Sequence, residues 1–94
     1  LNYAMAAYRL QPGDPRVMDT LGYVLLKNKR YQDAENLLTK ALEKLPQVST
    51  VALHLAMAKV ELGQKEAAKD LLTRVAESNN PEEVKEANRL MQSL

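Results

Sequence analysis

Residues 20–34 read TLGYVLLKNKRYQDA, and they set a glycine inside a segment whose apolar residues recur at helical spacing. An interior glycine costs a helix about 1 kcal/mol relative to alanine, so Gly22 has to recover that loss through what it packs against. Two helices can approach closely only where side chains are small. The stretch therefore reads as one helix, a polar turn at KNKR and a second helix laid against the first, with Gly22 and Ala34 meeting at the crossing. Leu21, Leu25, Leu38 and Leu42 fill the space on either side.

Start and stop signals repeat outward from this hairpin. In QPGDP, residues 11–15, Asp14 can cap a helix whose first position is Pro15. That helix runs to about Asn28, and the next runs from Tyr31 to Leu45, where Pro46 cannot continue the ladder. Ser49 can cap a further helix that stops at Gly63, a residue suited to a left-handed C-terminal position. Another runs from Lys65 to about Glu77, and in SNNPEE Asn80 caps a last helix with Pro81 in its first turn. Glu82 and Glu83 suit that helix start, where the backbone dipole favours negative charge. LNYAMAAYRL, at residues 1–10, reads as the latter part of a helix entered midway, which suggests a piece of a longer chain. No leader is evident there.

Composition narrows the functional classes. The chain has 94 residues, no cysteine, one histidine and a net charge of +1 with both signs interspersed. No disulfide or thiolate metal site is available, and neither nucleic acid nor an anionic membrane is favoured as a partner. No apolar run is long enough for direct membrane insertion. His54 lacks a second ligand at helical spacing, so it is read as a half-exposed packing residue. No metal, cofactor or catalytic residue is expected. The cluster Lys27, Lys29 and Arg30 reads as a solvated turn.

Self-comparison shows a repeat. A shift of 34 residues carries Leu21 onto Leu55, Gly22 onto Ala56, Ala34 onto Ala68, and LLTK at 37–40 onto LLTR at 71–74. The same shift carries Ala7 to Ala41 and Pro12 to Pro46. On these residues the chain resembles the tetratricopeptide repeat family, whose unit of that length is a helix pair with small residues at the crossing and a proline after the second helix. The resemblance implies an all-α solenoid of stacked antiparallel pairs, about five helices in one domain. Residues 1–14 would be the second helix of a truncated repeat, 15–48 and 49–80 two repeats, and 81–94 a terminal capping helix. Ala52, Val75 and Pro81, one place late, depart from the pattern. MDTLGYVLLKNKRYQDAENLLTKALEKLP is also similar to units of long bacterial repeat proteins, including extracytoplasmic lipoproteins, which would imply an extracytoplasmic setting.

Membership would place function on the concave surface lined by the first helix of each unit. The inward set on the helix from Pro15 is Arg16, Asp19, Tyr23, Leu26 and Lys27, and on the helix from Ser49 it is Thr50, Leu53, Met57, Val60 and Glu61. The last helix adds Lys85, Asn88, Arg89 and Gln92 if Pro81 marks a one-residue slip, or Val84, Ala87 and Met91 if it does not. The first set is preferred, because Val84, Ala87, Leu90, Met91 and Leu94 form the apolar stripe that helix needs for packing.

Such a surface suits a protein or peptide segment held by apolar pockets and oriented by rim charges. Asp19, Tyr23, Leu53 and Met57 stand where a carboxylate clamp would begin, so that mode is not supported. A non-catalytic interaction module is the leading reading. The alternative is a self-assembling scaffold that forms homodimers through residues 1–10, where Leu1, Tyr3, Ala4, Met5 and Tyr8 lack a partner helix. An RNA-reading repeat would need a basic concave face, against which Asp19 and Glu61 argue.

Overall fold

The computed structural model describes residues 1–94. It contains six helices, one more than the count of about five: α1 (Asn2–Leu10), α2 (Pro15–Lys27), α3 (Tyr31–Lys44), α4 (Ser49–Glu61), α5 (Lys65–Ala76) and α6 (Pro81–Gln92). Two of them, α2 and α6, begin at side-chain caps. Asp14 accepts a hydrogen bond from the Arg16 amide at 2.9 Å, and Asn80 accepts from the amides of Glu82 and Glu83. Ser49 does not cap α4. The N-cap position is Val48, whose side chain has no hydrogen-bond acceptor, and Ser49 is the first helical residue. The hydroxyls of Ser49 and Thr50 instead donate to the Glu83 carboxylate of α6, which thereby brings negative charge to the start of α4.

The turns after α2 and α4 share one backbone design. Arg30 donates its amide to the Leu25 carbonyl and Lys29 to that of Leu26. Thirty-four positions on, Gln64 donates to Lys59 and Gly63 to Val60. This paired bonding closes a helix when the residue after the cap is left-handed. Gly63 has φ 77°, and Lys29, a residue with a side chain, has φ 64°.

Burial repeats with the same spacing. Ala34 and Ala68, Leu38 and Leu72, and Ala41 and Val75 are all fully buried. Gly22 packs on Leu38 rather than on Ala34 first: a Cβ at residue 22 would lie 2.5 Å from Leu38 Cγ and 2.6 Å from its Cδ2. One core surrounds Met18, Leu21, Leu25, Leu38 and Leu55, and a second surrounds Leu53, Ala56, Leu72, Val75 and Ala87. Leu42, Met57 and Leu71 touch both. Burying a leucine side chain stabilises by about 1.5–3 kcal/mol, so these shared residues make stacking of neighbouring pairs a large part of the stability.

Helix contacts define a curved stack. Consecutive helices pack against each other, α2 also meets α4, and α4 meets α6. No two of α1, α3 and α5 come within 8 Å between Cα atoms. The even-numbered helices thus crowd together on the inside of the curve while the odd-numbered ones splay apart outside. Between α3 and α4 on the flank, Lys59 Nζ reaches Glu35 Oε2 at 2.6 Å and Gln64 at 3.0 Å, both members of the ion pair being mostly buried. The Lys59 hydrogen bond holds the Glu35 carboxyl below the usual glutamate range, against the opposing effect of burial.

At the N-terminal end, Ala4, Met5 and Tyr8 pack onto the first core. The uncovered side of α1 is therefore Leu1, Tyr3 and Leu10, with Tyr3 94% and Leu10 83% exposed. This replaces the wider face of Leu1, Tyr3, Ala4, Met5 and Tyr8 anticipated from the sequence.

Candidate functional site

Where α2, α4 and α6 converge, their C-terminal halves enclose a cleft of about 270 Å³. Leu26, Met57, Val60 and Leu90 form its apolar wall, with Tyr31 from the start of α3. Lys27, Lys29, Glu61, Glu86 and Arg89 form its charged margin. Glu86 and Arg89 are engaged with each other through Arg89 Nε at 2.9 Å, and this partner holds the Glu86 carboxyl below its ordinary range. Lys27 Nζ lies 5.2 Å from the Tyr23 ring centroid, within cation–π distance. Neither Lys27 nor Lys29 has a carboxylate within ion-pair distance.

Tyr23 continues the surface toward the other end of the groove. Its ring lies 4.4 Å from that of His54, and His54 Nδ1 is 2.8 Å from Asp19 Oδ1. His54 is more enclosed than a half-exposed position, with 16% of its side chain accessible. A row of Asp19, His54, Tyr23 and Lys27 therefore crosses from polar to cationic along the concave face. Beyond it, Arg16 and Asp19 border a separate concavity of about 360 Å³ with Thr20, Leu45, Val48 and Val51.

The fourteen positions assigned to the groove from the sequence are thus divided. Leu26, Lys27, Met57, Val60, Glu61 and Arg89 share the cleft, Arg16 and Asp19 share the second concavity, Tyr23 lies on the row between them, and Lys85 and Gln92 are exposed outside the cleft. Leu53 is 7% exposed inside the second core, so it offers no groove surface. Asn88 is exposed outside the cleft. Thr50 is engaged by Glu83. The displacement of Asn88 on the last helix has a local cause. The start of α4 follows that of α2 by 34 residues, but α6 starts 32 after α4, at Pro81 after Ser49, because α5 is two residues shorter than α3. Pro81 is thus the counterpart of Pro15, not of Pro46, and the slip is two residues rather than one. Arg89 then takes the place of Met57 and Tyr23. Asn88 takes that of Ala56 and Gly22, on the flank that a following helix would cover.

Tyr31, Lys29, Glu86 and Leu90 line the cleft without having been anticipated there. For Lys29 a signal existed in the same shift of 34, which pairs it with Gly63. Nothing in the structure groups three His, Asp or Glu residues as a metal site would require. No helix is long and apolar enough to cross a membrane.

A family model described as tetratricopeptide repeat matches residues 25–94. The chain belongs to the tetratricopeptide repeat family. Repeats of this family are non-catalytic and generally mediate protein–protein interactions. Comparison with curated proteins and with solved structures returned no match. In a tetratricopeptide array the 34-residue spacing is the stacking period of one helix pair. The two-residue shortening before α6 is therefore a local departure from an otherwise regular array.

Proposed function

We propose that the chain recruits a peptide or an exposed segment of a partner protein, docked on the concave face in the cleft between α2, α4 and α6. The observation that carries this reading is a cleft whose apolar wall is contributed by three successive inner helices and whose margin holds two lysines with no carboxylate within ion-pair distance. Its volume of about 270 Å³ is below the 300–1,000 Å³ usual for small-molecule pockets and suits one or two side chains of a longer ligand. Tyr23 and the Lys27 ammonium beside it extend the contact surface along the groove.

Panning a random dodecapeptide library on the chain, followed by fluorescence anisotropy of the recovered peptides, tests this. Val60 lines the cleft without belonging to either core. Val60→Gln should weaken binding about tenfold, from the loss of part of a buried valine contact, while leaving the melting temperature near that of the parent. Recovery of no peptide, or binding indifferent to both Val60→Gln and Tyr23→Ala, would remove the groove as the docking surface.

A second reading, assembly of copies through α1, rests on the exposure of Tyr3 and Leu10. Sedimentation equilibrium of the chain and of Tyr3→Ser with Leu10→Ser discriminates it. A dimer abolished by the pair of substitutions supports assembly, and a monomer in both discards it.

A further inference from the structure

Lys29 occupies a backbone position that disfavours it. Its φ of 64° lies in the left-handed region, where a Cβ crowds the following carbonyl. The structurally matching position in the next pair is filled by Gly63 at φ 77°, with the same pair of closing hydrogen bonds. Attraction of a cation to the end of α2 does not explain the choice. Lys27 already supplies that charge in the last turn, and α4 ends with Lys59 in its last turn and still uses glycine. What distinguishes Lys29 is its surroundings, since it lines the cleft and has no carboxylate within ion-pair distance. Strained residues persist where a side chain serves a site.

The charges around the cleft have one direction. Arg89 pairs with Glu86, on which Lys27 also acts at longer range, and Glu61 is the other carboxylate of the margin, so the three cations Lys27, Lys29 and Arg89 outnumber the carboxylates. The margin nearest α2 is accordingly cationic, beside an apolar wall of Leu26, Met57, Val60 and Leu90.

We infer that Lys29, with Lys27, forms an anion-reading point in this cleft, and that the segment it accepts carries an Asp or Glu within two residues of a large apolar side chain. The apolar group fills the space against Met57 and Val60, and the carboxylate meets the two lysines. This inference rests on the groove reading proposed above and adds the chemistry of its ligand.

The peptides recovered by panning decide it. Sequences with Asp or Glu within two residues of Leu, Met or Phe should predominate. Lys29→Gly should bind them about three- to fivefold more weakly at low salt, the size expected of a pair at a solvent-accessible margin, and the difference should shrink at high salt. Lys29→Glu should weaken binding further, and Lys29→Arg should retain it. Lys29→Gly should also melt at a higher temperature than the parent, because it relieves the left-handed lysine. A gain in stability together with a loss of affinity separates a ligand-reading lysine from a structural one. Peptides without acidic enrichment, or equal affinity for the parent and Lys29→Gly while Val60→Gln still weakens binding, would overturn the anion-reading point and leave the groove standing. Failure of Val60→Gln and Tyr23→Ala to affect binding would remove both.

Discussion

Replacing Gly22 by alanine sets two opposing effects against each other, and the structure says which one wins. In a bare helix the change stabilises by up to about 1 kcal/mol. Here the new Cβ would sit 2.5 Å from Leu38 Cγ and 2.6 Å from Cδ2, far inside van der Waals contact. Leu38 has no freedom to yield, since it is fully buried between Ala34 and Ala41, themselves without exposure. Overpacking of this kind costs about 1–3 kcal/mol, so Gly22→Ala should destabilise by about 1 kcal/mol net.

Leu38→Ala alone should cost about 2–5 kcal/mol through loss of its burial. In that background the obstruction is gone and the helical preference for alanine acts alone. Gly22→Ala should then become stabilising, by up to about 1 kcal/mol. Urea denaturation of the four proteins, followed by circular dichroism, measures the coupling, which should amount to about 1–3 kcal/mol. Coincident transitions by fluorescence and circular dichroism establish that the bookkeeping is two-state. If Gly22→Ala stabilises the parent chain, or has the same sign in both backgrounds, the close approach at Leu38 is not what selects glycine.

Two further outcomes follow from contacts between helix pairs. Glu35 titrates below its ordinary value because of Lys59, so the folded state binds this proton less readily than the unfolded state. Its contribution is present above the ordinary glutamate pKa of about 4.3 and is lost as pH falls through the lower folded value. Glu35→Gln should cost about 1–2 kcal/mol at neutral pH and flatten the acid limb of the stability curve. An unchanged acid limb would assign it to other carboxylates. Glu83→Gln should loosen the tie between α6 and the start of α4 and cost about 1 kcal/mol. Hydrogen exchange should speed up at the first amides of α4 rather than at those of α2, and equal protection in both proteins would contradict the role.

Helix signals carried by neighbouring residues were legible from the sequence. Asp14 with Pro15 and Asn80 with Pro81 act through bonds two or three residues long, so the residue types suffice. Ser49 misled because its hydroxyl is engaged by Glu83, 34 residues away, and local chemistry says nothing of that. That Leu26, Lys27, Met57 and Val60 share one surface was legible from helical period combined with the family resemblance, which says which helices stand side by side. Leu53 is covered in a core that includes Ala87 of α6, a contact between residues distant in sequence, and Asn88 depended on the register of α6, which a two-residue shortening of α5 shifts. Lys29 was read as solvated because lysines at turns generally are. Its left-handed backbone shows in sequence only through its pairing with Gly63.

The docking surface is most directly tested by backbone-amide chemical shifts of the labelled chain during titration with a peptide recovered by panning. Shifts concentrated at Lys27, Lys29, Met57, Val60 and Arg89, with α1 and the outer faces of α3 and α5 unmoved, are the result the account predicts. Shifts concentrated on Tyr3 and Leu10 of α1, or on the outer helices, would place binding elsewhere and contradict it.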